Sequence, residues 1–140
     1  MAKNKNITVD VTVQAPVAKT WKYLTEPEHI TQWNNASDDW HTPSATNDLR
    51  EGGKFTCRME AKDGSAGFDF GGTYSKVIPL KHIAYTMDDG RTVMVQFEDR
   101  GGETHITEAF DAESENPVEM QREGWQAILD NFKKYTESHI

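Results

Sequence analysis

The sequence predicts an α+β domain in which a curved antiparallel sheet of about six or seven strands wraps around a long C-terminal helix, with two short helices after the first strand. Three observations predict it. The chain opens on a strand-like alternation, a meander of alternating segments fills its middle, and an amphipathic helix of about twenty residues closes it. At 140 residues the chain suits one domain over 1–140, long enough to fold without disulfides or metal.

The elements follow in order. Ile7, Val9, Val11 and Val13 alternate with Thr8, Asp10 and Thr12, the pattern of a half-buried strand. Pro16 ends it and suits a first helical turn. Val17, Trp21 and Leu24, spaced four and three apart, predict a helix over 16–24. Thr25 and Glu28 read as a capping box for a second short helix, whose buried side carries Ile30 and Trp33. Residues 34–45 read as a polar loop with Trp40 at its centre, and a short strand is expected near 46–50.

From Gly53 to Asp111 the meander is punctuated by turns at Asp63-Gly64, Asp89-Gly90 and Gly101-Gly102. Phe55, Cys57 and Met59 share one face, as do Phe68, Phe70 and Tyr74; a bulge is expected near 76–78. Ile83, Tyr85 and Met87 are answered by Val93, Val95 and Phe97, and Ile106, Glu108 and Phe110 share a face of the last strand. Asn116-Pro117-Val118-Glu119 combines a capping residue, a proline for the first helical position and an acid. Trp125, Ile128, Leu129, Phe132 and Tyr135 then form one apolar stripe. A helix so apolar on one side must be covered, and the sheet is the element large enough to do it.

Several stretches together carry a family resemblance. They are Ala15-Pro16 with Trp21, Leu24, Thr25, Pro27, Ile30 and Trp33; Asp48-Leu49-Arg50 with Gly52, Gly53 and Phe55; Gly72 with Tyr74, Val77 and Pro79; and Gly124-Trp125 with Leu129 and Phe132. In this order, over about residues 7–137, they resemble the family named after the C-terminal domain of the activator of the heat-shock-protein-90 ATPase. That family lies in the superfamily of START lipid-transfer domains and the birch pollen allergen. The resemblance implies the helix-grip fold, with a cavity between sheet and long helix. The superfamily's lipid carriers, cyclases and co-chaperone domains show that the fold leaves the activity open.

Composition excludes some classes. Fifteen basic against 23 acidic residues give a formal charge of −8, so nucleic acid and membrane surface are poor partners. The adjacent Lys133-Lys134 is expected to sit in the last turns of the final helix, complementing its dipole. Cys57 is the sole cysteine, the N-terminus is polar without a signal-like run, and no segment is apolar enough to span a bilayer. The expected location is cytoplasmic.

No catalytic constellation emerges. Gly64-Ser65-Ala66-Gly67 is not a nucleophile elbow, Cys57 reads as a core thiol, and the histidines at 29, 41, 82, 105 and 139 have no zinc-ligand spacing. His41 with Asp38 and Asp39 reads as a solvated acidic loop, and there is no nucleotide-binding glycine motif. No metal, no cofactor and no catalytic residue are expected. The predicted cavity wall carries Trp33, Trp40, Phe55, Met59, Phe68 and Phe70, and further Tyr85, Met87, Val95, Glu108, Trp125 and Leu129. Gly124 weakens the long helix, so it either permits close packing or leaves open space. Glu108 is the sharpest position: if alternation turns it inward its carboxylate is desolvated and raised in pKa, free to orient a ligand or move a proton, and the alternatives are a local bulge that turns it outward or a pairing with Arg58, Arg91 or Arg122. The leading expectation is binding of a hydrophobic or amphipathic small molecule or lipid in the cavity. The alternatives are a co-chaperone-like protein-interaction domain, with a chaperone or other protein as partner, and a cavity enzyme such as a cyclase or dehydratase using Glu108 or Asp38.

Overall fold

The computed structural model describes residues 6–35, 38–113 and 116–138. Strand β1 (Asn6–Val13) leads to helices α1 (Val17–Thr25) and α2 (Pro27–Trp33). Strands β2 (Trp40–Asn47), β3 (Lys54–Ala61), β4 (Gly67–Ile78), β5 (His82–Met87), β6 (Thr92–Asp99) and β7 (Thr104–Asp111) follow, and α3 (Val118–Ser138) ends the chain. The seven strands form one antiparallel sheet in the order β1-β7-β6-β5-β4-β3-β2. Six of the strands follow one another as a meander, and β1 closes against β7 with Val9 opposite Glu108.

Alternation decides what lies inside. Ile7, Val9 and Val13, then Val93, Val95 and Phe97, then Ile106 and Phe110 are buried on the inner face, while Met94 on the outer face stays exposed. Strand β4 passes its neighbours at close range. A Cβ on Gly72 would lie 2.6 Å from the Thr86 carbonyl oxygen, and one on Gly71 would lie 2.7 Å from that of Phe55. Only residues without a side chain let the neighbouring strands approach this closely. This strand has a bulge, but between Tyr74 and Lys76, just before the expected 76–78.

Helix α3 crosses the concave face in two different ways. Its C-terminal half is packed hard: Phe132 is fully buried and meets Trp33 edge to face, ring centres 5.1 Å apart. Its N-terminal half stands off the sheet, and Trp125 and Ile128 are only half-buried. Lys133 donates to the Thr12 carbonyl at 2.7 Å and pairs with Glu137 at 2.6 Å. The Lys133-Lys134 pair lies within the last two turns of α3, one turn short of its end at Ser138, and Lys133 ties the helix to the end of β1.

Three local expectations are corrected. The capping box at Thr25 does not form, since Thr25 Oγ1 donates back to the Trp21 carbonyl at 2.8 Å within α1. Glu26 stands at the cap of α2 without a side-chain bond. The loop expected over 34–45 is shorter, and the strand expected near 46–50 begins earlier, because β2 runs from Trp40 to Asn47. It pairs with β3 on one side, and its register shifts between His41 and Ser44, around Pro43. A proline is tolerated at such a bulge on an edge strand. Finally, α3 begins at Val118, and the Pro117 carbonyl accepts the first helical bond, from the Gln121 N–H at 3.2 Å.

Candidate functional site

Where α3 stands off the sheet, it leaves a cavity of two chambers. The outer one, about 480 Å³, lies between Trp40, Met59, Phe68, Phe70 and Met87 of the sheet and Met120, Gln121, Gly124, Trp125 and Ile128 of the helix. The inner one, about 140 Å³, lies deeper, under Trp33, Phe55, Cys57, Tyr74, Tyr85, Val95 and Glu108. Met59, Phe70, Trp125 and Ile128 line both, so the chambers share a wall. The outer volume falls within the range of about 300–1,000 Å³ usual for ligand sites.

Two features of α3 hold the cavity open. A Cβ on Gly124 would meet nothing within 4 Å, so its helix-weakening glycine corresponds to space and not to close packing. Trp125 is stacked on Phe110, ring centres 3.9 Å apart and planes 11° from parallel, which props the helix on an aromatic pillar. Gln121 anchors the entrance. Its buried side-chain amide accepts from the Glu113 N–H at 2.8 Å and donates to the Asn116 carbonyl at 2.7 Å, tying the start of α3 to the end of β7.

Of the twelve predicted wall residues, eleven line one or both chambers. Leu129 does not: it is 3% exposed and packs in the core. Leu129 follows Ile128 in the apolar stripe, and the step of about 100° between successive helical residues turns Leu129 into the core and Ile128 onto the cavity wall. Residues that sequence reasoning did not place on the wall include Gln121, Ile128, Arg91 and Met120. Helical spacing held a signal for two of them, since Gln121, Gly124, Trp125 and Ile128 fall at 0, 3, 4 and 7.

Glu108 points inward, as its strand face requires. Across the inner face it is flanked by Val9 on β1 and Val95 on β6. Arg58 is held by Glu60 at 2.8 Å, Arg91 by Asp89 at 2.8 Å, and Arg122 by Glu119, so none of the three neutralises it. Among the described residues no hydrogen bond or ion pair reaches its carboxyl group. The surface it retains opens onto the inner chamber, and burial alone pushes its pKa up to about 7. Burial, then the charge of Glu108, holds the Tyr85 phenol well above its ordinary range. Burial also raises Tyr74, whose hydroxyl donates to Asn47 Oδ1 at 2.6 Å, and pushes the Cys57 thiol up to about 11. At neutral pH this chamber therefore holds one group poised to gain or lose a proton.

The other sequence candidates lie elsewhere. Asp38 and Asp39 are exposed and line neither chamber, and His41 faces Glu60 at 3.9 Å. Glu26, Glu28 and His29 bring three possible ligand atoms within 4.8 Å at the start of α2. His29 Nδ1 is already hydrogen-bonded to the Tyr135 hydroxyl at 2.7 Å, and acids at a helix start complement its dipole. No helix among the described residues is long and apolar enough to cross a membrane.

A curled antiparallel sheet gripping a long helix across an open cavity defines the helix-grip class of proteins. The family model described as activator of Hsp90 ATPase homolog 1-like protein matches residues 14–137, and the chain belongs to that family. The solution structure of an AHSA1-like protein from Aeromonas hydrophila is 44% identical, with a TM-score of 0.90 over 96% of this chain and 94% of that one. A protein from Cytophaga hutchinsonii is 54% identical, with a TM-score of 0.83 over 96% and 93%. A protein from Nitrosomonas europaea shares the fold at 20% identity, with a TM-score of 0.83 over 96% of each chain. No curated protein matches the chain.

Proposed function

We propose that the chain binds a hydrophobic or amphipathic small molecule or lipid in the two-chambered cavity between the sheet and α3. One observation carries this reading: about 480 Å³ of space, walled by Phe68, Phe70, Met87, Trp125 and Ile128, is held open by Gly124 and the Phe110–Trp125 stack. Unfilled apolar space forfeits dispersion contacts for every atom on its wall, so a fold that keeps it gains by admitting an apolar occupant. The wall supports binding more directly than catalysis, because among the described residues Glu108 is the one group in the inner chamber whose pKa is brought to about 7.

Native mass spectrometry of the protein purified from its own host, followed by denaturing extraction, tests the reading. A reproducible bound molecule is the expected result. An empty cavity that also takes up no apolar probe would sink the proposal. Gly124→Leu supplies a second test. The added side chain projects into the outer chamber, so probe binding is expected to fall at least tenfold. Stability is expected to rise by about 1 kcal/mol from the better helix former, as measured by urea unfolding. Unchanged binding in this variant would place the ligand elsewhere.

The family description favours a second reading, a surface that engages a chaperone ATPase. Addition of this chain to an Hsp90 ATPase assay addresses it, and an unchanged hydrolysis rate at saturating chain would remove it.

A further inference from the structure

We propose that Glu108 is the recognition group for a protonated amine carried on an apolar body, so that the ligand class of the cavity is hydrophobic amines. This rests on the cavity-binding reading above and names the chemistry of its occupant.

The inference comes from what surrounds Glu108. On either side across the sheet stand Val9 and Val95, and along its own strand Ile106 and Phe110 are fully buried. From α3, Trp125 and Ile128 face the same chamber, and from α1 and α2 come Thr25, Ile30 and Trp33, with Asn34 beyond α2. The titratable groups facing it are Tyr85 on β5, Tyr74 on β4 and Cys57 on β3. Burial raises all three, so none of them is a charge at neutral pH. The nearest cation in the cavity, Arg91, lines the outer chamber and is held by Asp89 at 2.8 Å. Glu113, also on that outer wall, accepts from the Asn116 N–H at 3.0 Å.

A carboxyl group left without a partner in an apolar chamber is costly unless something arrives to meet it. The partner that best satisfies it is a cation bearing N–H donors. An ammonium head supplies both charge and hydrogen bonds, while its hydrocarbon fills the outer chamber against Phe70, Met87 and Ile128. Above pH 7, where Glu108 is ionised, a fatty-acid carboxylate would instead be repelled, both by Glu108 and by a chain of formal charge −8 that draws cations towards it. The proton balance follows from the same geometry. Free, Glu108 is largely protonated below pH 7. On binding an ammonium ion it ionises and releases that proton to solvent, forming the carboxylate–ammonium pair.

Isothermal titration calorimetry with decylamine, decanol and decanoate, each in two buffers of different ionisation heat, tests this on the wild-type protein and on Glu108→Gln. At pH 8 decylamine is expected to bind at least tenfold more tightly than decanol, a preference lost in Glu108→Gln. Below pH 7 its affinity is expected to fall about tenfold per pH unit, with about one proton released per molecule bound at pH 6 in the wild type. Equal affinity for the three probes, or preference for decanoate, overturns the amine assignment and leaves cavity binding standing. Failure of all three to bind overturns both. Proton release is read on the wild type alone, so the test does not depend on how the variant folds.

Discussion

Glu108→Gln is expected to stabilise the protein at pH 8 relative to the wild type, and to lose that advantage as the pH falls towards 4.5. In the folded chain burial lifts the Glu108 pKa to about 7, above the ordinary 4.5. Below 4.5 the group is protonated in both folded and unfolded chains, and it carries no ionisation penalty. Between 4.5 and 7 the unfolded chain releases the proton while the folded one keeps it, so stability drains away as pH rises. Above 7 the folded chain ionises too, and the loss is complete. At about 1.4 kcal/mol per pH unit, the interval is worth roughly 3 kcal/mol. A glutamine side chain cannot ionise, so the stability difference between variant and wild type should widen by about that amount from pH 4.5 to pH 8. Urea unfolding across this range measures it. Parallel pH curves would show that Glu108 is either solvated or paired in solution, and would remove the physical basis of the amine proposal as well.

The alternation of Ile106, Glu108 and Phe110 pointed Glu108 inward, but a local bulge would have turned it outward, and only the regular register with Val9 and Val95 removes that alternative. Its isolation was not readable. Arg58, Arg91 and Arg122 all stood as possible partners, and only the fold shows each of them engaged elsewhere. The same division runs through the rest of the chain. β1 and β5 to β7 announce themselves because each buries one face in the core. β2 does not, because Trp40-His41-Thr42-Pro43-Ser44 is an edge segment bent around Pro43, with too few buried residues to set a period. The capping box at Thr25 failed because a threonine hydroxyl can equally serve the carbonyl four residues back, and here it does. The stripe from Trp125 to Tyr135 identified the helix face. It could not separate Ile128, on the cavity wall, from Leu129, in the core, since that depends on where the surrounding elements leave space unfilled.

The contrast between packed core and open cavity has an energetic signature. Phe132→Ala is expected to cost about 3–5 kcal/mol, because Phe132 is fully enclosed and its removal leaves an unfilled hole beside Trp33. Trp33 cannot swing in to fill it, as its indole N–H is held by the Tyr23 carbonyl at 2.9 Å. Phe70→Ala removes the same atoms from a different setting. Phe70 is partly buried, touching Trp125 and Phe55 at ring-centre distances of 6.3 Å and 5.8 Å, and it also faces both chambers. The surface turned to the chambers has few partner atoms to lose, so the cost is expected to be about half that of Phe132→Ala. Urea unfolding of the two variants, with the slope of the transition checked for constancy, makes the comparison. Equal costs would mean that α3 closes onto the sheet in solution and that Phe70 is a core residue. A clear difference would mean that the N-terminal half of α3 stands clear of the sheet, with the space beneath it open to an occupant.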